Sequence, residues 1–204
     1  MVNIVIEYWA KSTKGGSKML EIRWHSRAGQ GAVTGAKGLA DVIAGTGKEV
    51  QAFAFYGSAK RGASMTAYNR IDSEPILNHE KFMNPDYILV IDPGLVFITN
   101  ICLYDKPSTK YIITTRLSKD ELIEKKPELA SKEIYTLDCI QISIDTLGKS
   151  IPNAPMLGAL MKVSGMLELD FFLESFSKVL GKKLPPQVIE ANKVAITRAY
   201  EEVK

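Results

Sequence analysis

Two apolar runs constrain the fold more than any other feature of the sequence. The first, YILVI, lies between Asp86 and Asp92, and the second, YIITT, lies between Lys110 and Arg116. Runs without polar alternation are typical of strands in a parallel sheet, because helices then cover both faces of the sheet. We therefore expect both runs to be central parallel strands.

The rest of the chain alternates strands with helices. Apolar residues at helical spacing predict a helix over Ala32–Ala44, and Ser118 with Glu121 predicts a capping box at the start of another. After Ser150 the chain reads as helical. Further strands are predicted at 20–24, 49–57, 65–71 and 133–139.

This order of elements favours an α/β fold. Strands that alternate with helices build a largely parallel sheet, and the hairpin-like spacing of the second and third strands makes that sheet mixed. We expect a three-layer α/β/α sandwich with a helical C-terminal segment. Residues 1–18 are predicted to be an N-terminal extension, and residues 19–204 a single domain.

Composition excludes several function classes. The 204 residues carry a net charge of only +3, with no interleaved basic and aromatic residues, so we expect no nucleic-acid partner. No apolar run approaches the roughly 20 residues of a membrane span, and no membrane association is expected. The two cysteines, Cys102 and Cys139, form no C-x-x-C motif and cannot supply the four thiolates of an iron–sulfur cluster. So few cysteines are typical of the reducing cytoplasm.

A glycine turn joins the first strand to the first helix. Gly29 and Gly31 flank Gln30 and allow close backbone approach to a ligand, while the helix after them presents free N–H groups to an anion. The dinucleotide fingerprint fails, because Thr34 replaces its third glycine or alanine. A tight turn without a ligand remains the alternative.

A basic loop follows the second strand. Lys60 and Arg61, with the adjoining Gly62, stand where the carboxyl ends of strands bind ligands in α/β sheets. The two cations could meet phosphates or a partner's carboxylates, or they could simply be solvated.

Three other residues have more than one interpretation. His25 ends the first strand and is either a hydrogen-bonded structural residue or a catalytic one, although the sequence shows no recognisable nucleophilic pair around it. His79 lies in a polar segment and is expected to be solvated. Asp92 either caps the segment after it or belongs to a ligand site.

The combined pattern resembles the gamma subunit, or gamma domain, of the 2-oxoacid:ferredoxin oxidoreductases, including pyruvate:ferredoxin oxidoreductase. Those proteins show an R-x-H-G-R-G-G-Q-G turn, then V-T, then G-K-x-x-Q-A-F, a loop F-G-x-E-R-R-G-A-P and a strand ending in R-I. The matching residues are Arg23, His25, Arg27, Gly29, Gln30, Gly31, Val33, Thr34, Gly47, Lys48, Gln51, Ala52, Phe53, Gly57, Arg61, Gly62, Ala63, Arg70 and Ile71.

The chain departs from this pattern at five positions. They are Ser26 and Ala28 in place of glycines, Ala59 and Lys60 in place of Glu-Arg, and Ser64 in place of proline. The turn therefore has less backbone freedom than the family pattern implies, and the loop lacks its carboxylate.

The resemblance implies a role in a multi-subunit enzyme. That enzyme converts a 2-oxoacid, with pyruvate the best candidate, and coenzyme A (CoA) to acyl-CoA and CO2, and passes electrons to ferredoxin. The alpha, beta and delta subunits are the implied partners, and the other subunits hold thiamine diphosphate, magnesium and [4Fe–4S] clusters. The gamma part is structural and borders the channel for CoA, which gives Gly29, Gln30, Gly31 and the loop residues Lys60, Arg61 and Gly62 a role near CoA. An independent nucleotide- or dinucleotide-binding enzyme is the alternative.

Overall fold

Six strands form one mixed sheet in the computed structural model, which describes residues 19–57, 62–78, 80–181 and 184–204. The predicted extension, residues 1–18, lies outside the described residues. Across the sheet the strands are ordered β2-β3-β1-β4-β5-β6. Their bounds are β1 Leu20–Arg27, β2 Glu49–Tyr56, β3 Ser64–Asp72, β4 Tyr87–Val90, β5 Lys110–Thr114 and β6 Glu133–Leu137.

Strand direction divides the sheet into two parts. Strands β1, β4, β5 and β6 pair in parallel, whereas β3 pairs antiparallel with both β1 and β2. The prediction of a mixed, largely parallel sheet is therefore confirmed. The two apolar runs, as predicted, are the neighbouring parallel strands β4 and β5.

Helices cover both faces of the sheet. Their bounds are α1 Ala32–Ala44, α2 Leu95–Ile98, α3 Lys119–Lys125, α4 Cys139–Leu147, α5 Asn153–Ser164, α6 Leu169–Leu180 and α7 Pro186–Glu202, with a 3₁₀ turn at Pro127–Leu129. The main core lies between the sheet and helices α1 and α4 to α7, and the second core lies under α2 and α3. Strand β4 serves both cores, because Leu89 faces the first while Ile88 and Val90 face the second. The three-layer α/β/α prediction is confirmed.

A buried polar chain fixes α1 on the sheet. The Nε1 of Trp24 on β1 donates to Oδ1 of Asn69 on β3 at 2.9 Å, and Nδ2 of Asn69 donates to the carbonyl oxygen of Ala36 on α1 at 2.8 Å. Trp24 and Asn69 are both fully buried, so each hydrogen bond satisfies a group that has no access to water. Gly35 lets α1 come this close, since a Cβ there would lie 3.2 Å from the Trp24 ring.

The structure departs from the predicted elements in several places, and the first strand, predicted over 20–24, extends to Arg27. The strand predicted over 133–139 ends at Leu137, because the side chain of Asp138 accepts a hydrogen bond from the backbone nitrogen of Gln141 and begins α4, a helix that the sequence did not predict. Strand β4 ends at Val90 rather than Asp92. The short helix α2 was also not predicted.

The predicted capping box is confirmed. Ser118 and Glu121 form the predicted capping box at the start of α3. Cys102 and Cys139 are both free, and Cys139 is buried in the main core. In the described part of the chain, no helix has the length and apolar character that crossing a membrane requires.

Candidate functional site

The glycine turn lies where two neighbouring parallel strands send the chain to opposite faces of the sheet. After β1 the chain turns into α1 on the face of the main core, and after β4 it turns into α2 on the other face. Such a switch point leaves a crevice at the carboxyl ends of the strands, which is where open α/β sheets bind ligands. The turn, residues 28–31, lies at this switch point, at the carboxyl end of β1.

Two glycines give the turn its shape. Gly29 and Gly31 have φ angles of 93° and 90°, a conformation that side chains with a Cβ rarely adopt. Gly31 is the N-cap residue of α1 and provides no side-chain hydrogen bond, and the first turn of α1 contains no acidic residue. The first N–H groups of a helix have no intrahelical partner, so this helix end can receive an anion.

Asp92 ties the turn to the end of the neighbouring strand. Its Oδ2 accepts hydrogen bonds from Nε2 of Gln30 at 2.6 Å and from Nε of Arg27 at 3.1 Å. Its Oδ1 accepts from the backbone nitrogen of Gly94 at 2.9 Å, just before α2. Asp92 therefore joins the turn to the segment ahead of α2, although the N-cap residue of that helix is Gly94 and the helix has no side-chain cap.

The side chain of Gln30 is engaged at both of its polar atoms. Its Oε1 accepts from the backbone nitrogen of Arg27 at 2.8 Å and from Oγ of Ser26 at 3.2 Å, and its Nε2 donates to Asp92. Gln30 therefore positions the turn from inside the protein. The sequence singled out Gln30 and Asp92 separately but did not pair them; the signal that could have paired them is their shared place at the carboxyl ends of adjacent parallel strands.

Gly62 and Ala63, at the described end of the basic loop, contact the turn and the strand before it. Nη1 of Arg27 donates to the carbonyl oxygen of Gly62 at 3.0 Å, and the backbone nitrogen of Ala28 donates to that of Ala63 at 3.3 Å. Gly62 has a φ of 80°. The structure thus brings three predicted residues of the turn together with Gly62. The other two, Lys60 and Arg61, lie outside the described residues, as does His79.

Asn153, the first residue of α5, packs against the turn. A Cβ at Gly31 would lie 3.1 Å from Nδ2 of Asn153, so only glycine fits here without displacing the amide. Sequence reasoning did not identify Asn153 individually.

Beside Asn153, helices α1 and α4 to α7 enclose a cavity of about 400 Å³ whose walls are largely apolar, including Leu157, Phe176 and Leu180. This lining suits an apolar group rather than a phosphate.

His25 lies on the opposite face of β1 from Trp24 and is only 9% exposed. Its Nε2 has no hydrogen-bond partner among the described residues, so the interpretation as a hydrogen-bonded structural histidine fails at this atom. Burial, and then the nearby Arg23 charge, lower the pKa of His25 from 6.5 to about 3. The imidazole is therefore neutral near pH 7.

The described residues offer no ready site for a metal ion. No three histidine, cysteine, aspartate or glutamate side chains in this part of the chain lie close enough together to hold one. At the turn itself, the groups suited to an anion are the first backbone N–H groups of α1.

Comparisons with known proteins agree with this architecture. The sequence pattern of the pyruvate ferredoxin/flavodoxin oxidoreductase family matches residues 21–202. Pyruvate synthase subunit PorC of Thermotoga maritima is 42% identical over 188 residues, which cover 92% of this chain and 96% of that protein. The pyruvate/ketoisovalerate oxidoreductases common subunit gamma of Pyrococcus furiosus is 36% identical over 186 residues, 91% of this chain and 98% of that protein.

A crystal structure of the pyruvate oxidoreductase subunit PORC of Thermotoga maritima superimposes with a TM-score of 0.78 and 37% identity. The match covers 92% of this chain and 98% of that one, so the same fold extends over the whole relative rather than over one motif. The chain therefore belongs to the pyruvate ferredoxin/flavodoxin oxidoreductase family, as a counterpart of its gamma (PorC) subunits.

Proposed function

We propose that this chain is the gamma subunit of a multi-subunit pyruvate synthase in the cytoplasm. The assembled enzyme converts a 2-oxoacid and CoA to acyl-CoA and CO2 and delivers the electrons to ferredoxin. The alpha, beta and delta subunits are its partners, and thiamine diphosphate, magnesium and the [4Fe–4S] clusters reside in other subunits. Two cysteines in the whole chain are too few to hold a four-thiolate cluster, which supports this division of roles.

The role of this chain in the reaction is to hold CoA and to pack against the other subunits. The observation that carries the CoA proposal is the glycine turn at the switch point, with an uncapped helix end and two glycines in left-handed conformations. Backbone N–H groups in such a turn bind phosphate oxygens, and CoA carries three phosphate groups. In this proposal Gly29 and Gly31 approach the phosphates, while Gln30 holds the turn in place.

Lys60 and Arg61 extend the same site in the proposal. The strand ends that carry their loop are fixed beside the turn through the carbonyl oxygens of Gly62 and Ala63. Two cations there would form charge-assisted hydrogen bonds to phosphate oxygens, which are the stronger class of hydrogen bond. In this proposal the 2-oxoacid does not contact this chain. The relative from Pyrococcus furiosus supports this, because it is named as a gamma subunit common to the pyruvate and ketoisovalerate oxidoreductases, and one subunit there is shared by enzymes for two substrates.

Steady-state kinetics of the assembled enzyme test the CoA site. Replacing Lys60 and Arg61 together by alanine should raise the KM for CoA at least about tenfold, because a single hydrogen bond between charged groups, worth about 1.5–3 kcal/mol, already corresponds to that factor. The KM for pyruvate and the kcat at saturating CoA should stay unchanged. The matched control replaces Lys119 and Lys125, two exposed cations on α3, by alanine. An unchanged KM for CoA, or the same rise in the control, would refute the CoA role.

A separate experiment tests the assignment as a subunit. The chain, tagged and isolated from its native source, should bring down larger proteins that contain iron and thiamine diphosphate. Isolation of the chain alone, active by itself with a nucleotide, would instead support the independent nucleotide-binding enzyme.

A further inference from the structure

A second candidate site lies on the face of the sheet opposite α1. Two adjoining cavities of about 340 and 310 Å³ lie between β1, β3 and the segments around residues 81–83 and 99–104. The residues that line both cavities are His25, Thr66, Lys81, Asn100 and Leu103. No residue of the turn 28–31 contributes to either lining, although Gly57 and Ser64, which flank the basic loop of the CoA proposal, line the first cavity.

The first observation that points to a ligand is a buried cation that forms no ion pair among the described residues. Arg23 is 5% exposed and lines one of the cavities. Its Nη2 donates to the carbonyl oxygen of Ile101 at 3.0 Å, but its Nε has no partner and no carboxylate forms an ion pair with it among the described residues. The nearby Asp105 is already paired with Lys132 at 2.6 Å. A buried charge is usually paired, because removing it from water is costly.

The second observation is His25, which lines both cavities and whose buried Nε2 has no hydrogen-bond partner among the described residues. A neutral imidazole can donate one hydrogen bond, so His25 and Arg23 together present donors to the same space. Lys81 adds a positive charge at the rim, where its Nζ lies 4.2 Å from the centroid of the Phe55 ring. The groups that line this space are therefore suited to an anion.

The number of donors selects the kind of anion. One guanidinium that has already used one donor, and one neutral imidazole, match the single charge and two oxygens of a carboxylate better than a phosphate dianion. The remaining walls are aromatic and apolar. Tyr68 and Phe82 line the cavity with their rings packed edge to face at 4.9 Å between centroids, and Met83 and Leu103 are exposed beside them.

We propose that this cavity binds a small organic acid, with its carboxylate at Arg23 and His25 and its apolar body against Tyr68 and Phe82. No covalent step is involved. The site is independent of the CoA proposal, because it can be measured on the full chain in the absence of CoA.

NMR of the histidine side chains tests this proposal. The chain contains two histidines, and the variant His79→Gln identifies the signal of His25. Three probes are added in turn to the ¹⁵N-histidine-labelled full chain near pH 7: benzoate, benzamide and acetate. Benzoate should shift the His25 signal in a saturable way. Benzamide, which has the same ring without the charge, and acetate, which has the charge without the ring, should each bind about tenfold more weakly or worse.

Variants locate the binding. Arg23→Met should reduce benzoate affinity at least about tenfold, and Lys81→Gln should reduce it several-fold. Because Lys81 is exposed, that variant keeps the fold even if Arg23→Met does not. Lys119→Gln, on the far side of the second core, removes the same charge and should leave affinity unchanged. The absence of a saturable shift, equal affinity for benzoate and benzamide, or equal effects of Lys81→Gln and Lys119→Gln would each overturn the proposal.

Discussion

Replacing Asp92 by asparagine should destabilise the protein more than any other single isosteric change at the switch point. The Asp92 carboxylate is 13% exposed and accepts three hydrogen bonds, from Arg27, Gln30 and the backbone of Gly94. Hydrogen bonds to charged groups contribute about 1.5–3 kcal/mol each, but neighbouring contributions are not additive. The variant keeps one acceptor oxygen and places an amide against two donors. We therefore expect the free energy of unfolding to fall by about 3 kcal/mol.

Urea denaturation followed by far-ultraviolet circular dichroism measures this loss. With a slope of about 2–3 kcal/mol per molar urea, the unfolding midpoint should fall by roughly 1–1.5 M. Asp145→Asn is the matched control, because Asp145 also accepts from a glutamine and an arginine, Gln141 and Arg198, but in an exposed position. Its midpoint should not change measurably. Equal shifts in the two variants would refute the argument that Asp92 holds the turn through desolvated hydrogen bonds.

Three further predictions concern packing, capping and pH. Gly158→Ala should lower the free energy of unfolding by about 3 kcal/mol in urea denaturation, since its Cβ would lie 2.0 Å from the carbonyl oxygen of Ile196 on α7. Ser118→Ala should cost about 1 kcal/mol near pH 7. Because hydrogen bonds from Ser118 hold the pKa of Glu121 below 4.5, part of that difference should disappear as the pH falls from 4.5 through the lowered pKa. Finally, between pH 6.5 and about 3 His25 is protonated in the unfolded chain but neutral in the folded chain. The free energy of unfolding should therefore decrease as the pH falls over that range, and it should decrease less in His25→Gln.

Controls separate these effects from general damage. Gly38→Ala tests the packing argument, because a Cβ there would lie 3.9 Å from the Phe176 ring and should leave stability unchanged or raise it by about 0.5–1 kcal/mol. A Ser118→Ala effect that is constant from pH 7 to pH 3 would contradict the role of the Glu121 charge. For His25, His79→Gln is the control, and an NMR titration of His25 with a midpoint near 6.5 would contradict the lowered pKa.

Much of the fold was predictable because few arrangements of strands and helices are compatible with the hydrophobic pattern of a parallel sheet. The run from 87 to 91 is apolar on both faces since β4 is covered by a core on each side. Helix α1 was predicted at its observed bounds, because its apolar spacing begins after one glycine and ends before another. Helix α4 was missed for a local reason: Asp138 follows a strand directly, and a capping side chain leaves no turn residues to mark the change.

The site was predictable only in part. The glycines of the turn are visible in the sequence because a positive φ favours glycine strongly. The hydrogen bond between Gln30 and Asp92 spans 62 residues, and it depends on the lateral order of β1 and β4, which patterning along the chain does not specify. The unpaired state of Arg23 was equally hidden, because a residue's lack of partners is a property of the folded neighbourhood and not of its own sequence context.

The contact between Trp24 and α1 gives the protein an internal optical probe. The sequence contains one other tryptophan, Trp9, so Trp9→Phe leaves a single indole as the fluorophore. That indole is fully buried, donates to Asn69 and packs under Gly35, one turn after the glycine-rich segment. Any ligand or neighbouring subunit that lifts the start of α1 from the sheet will admit water to the ring and move its emission to longer wavelength. Fluorescence can therefore follow events at the crevice in real time, without an added label.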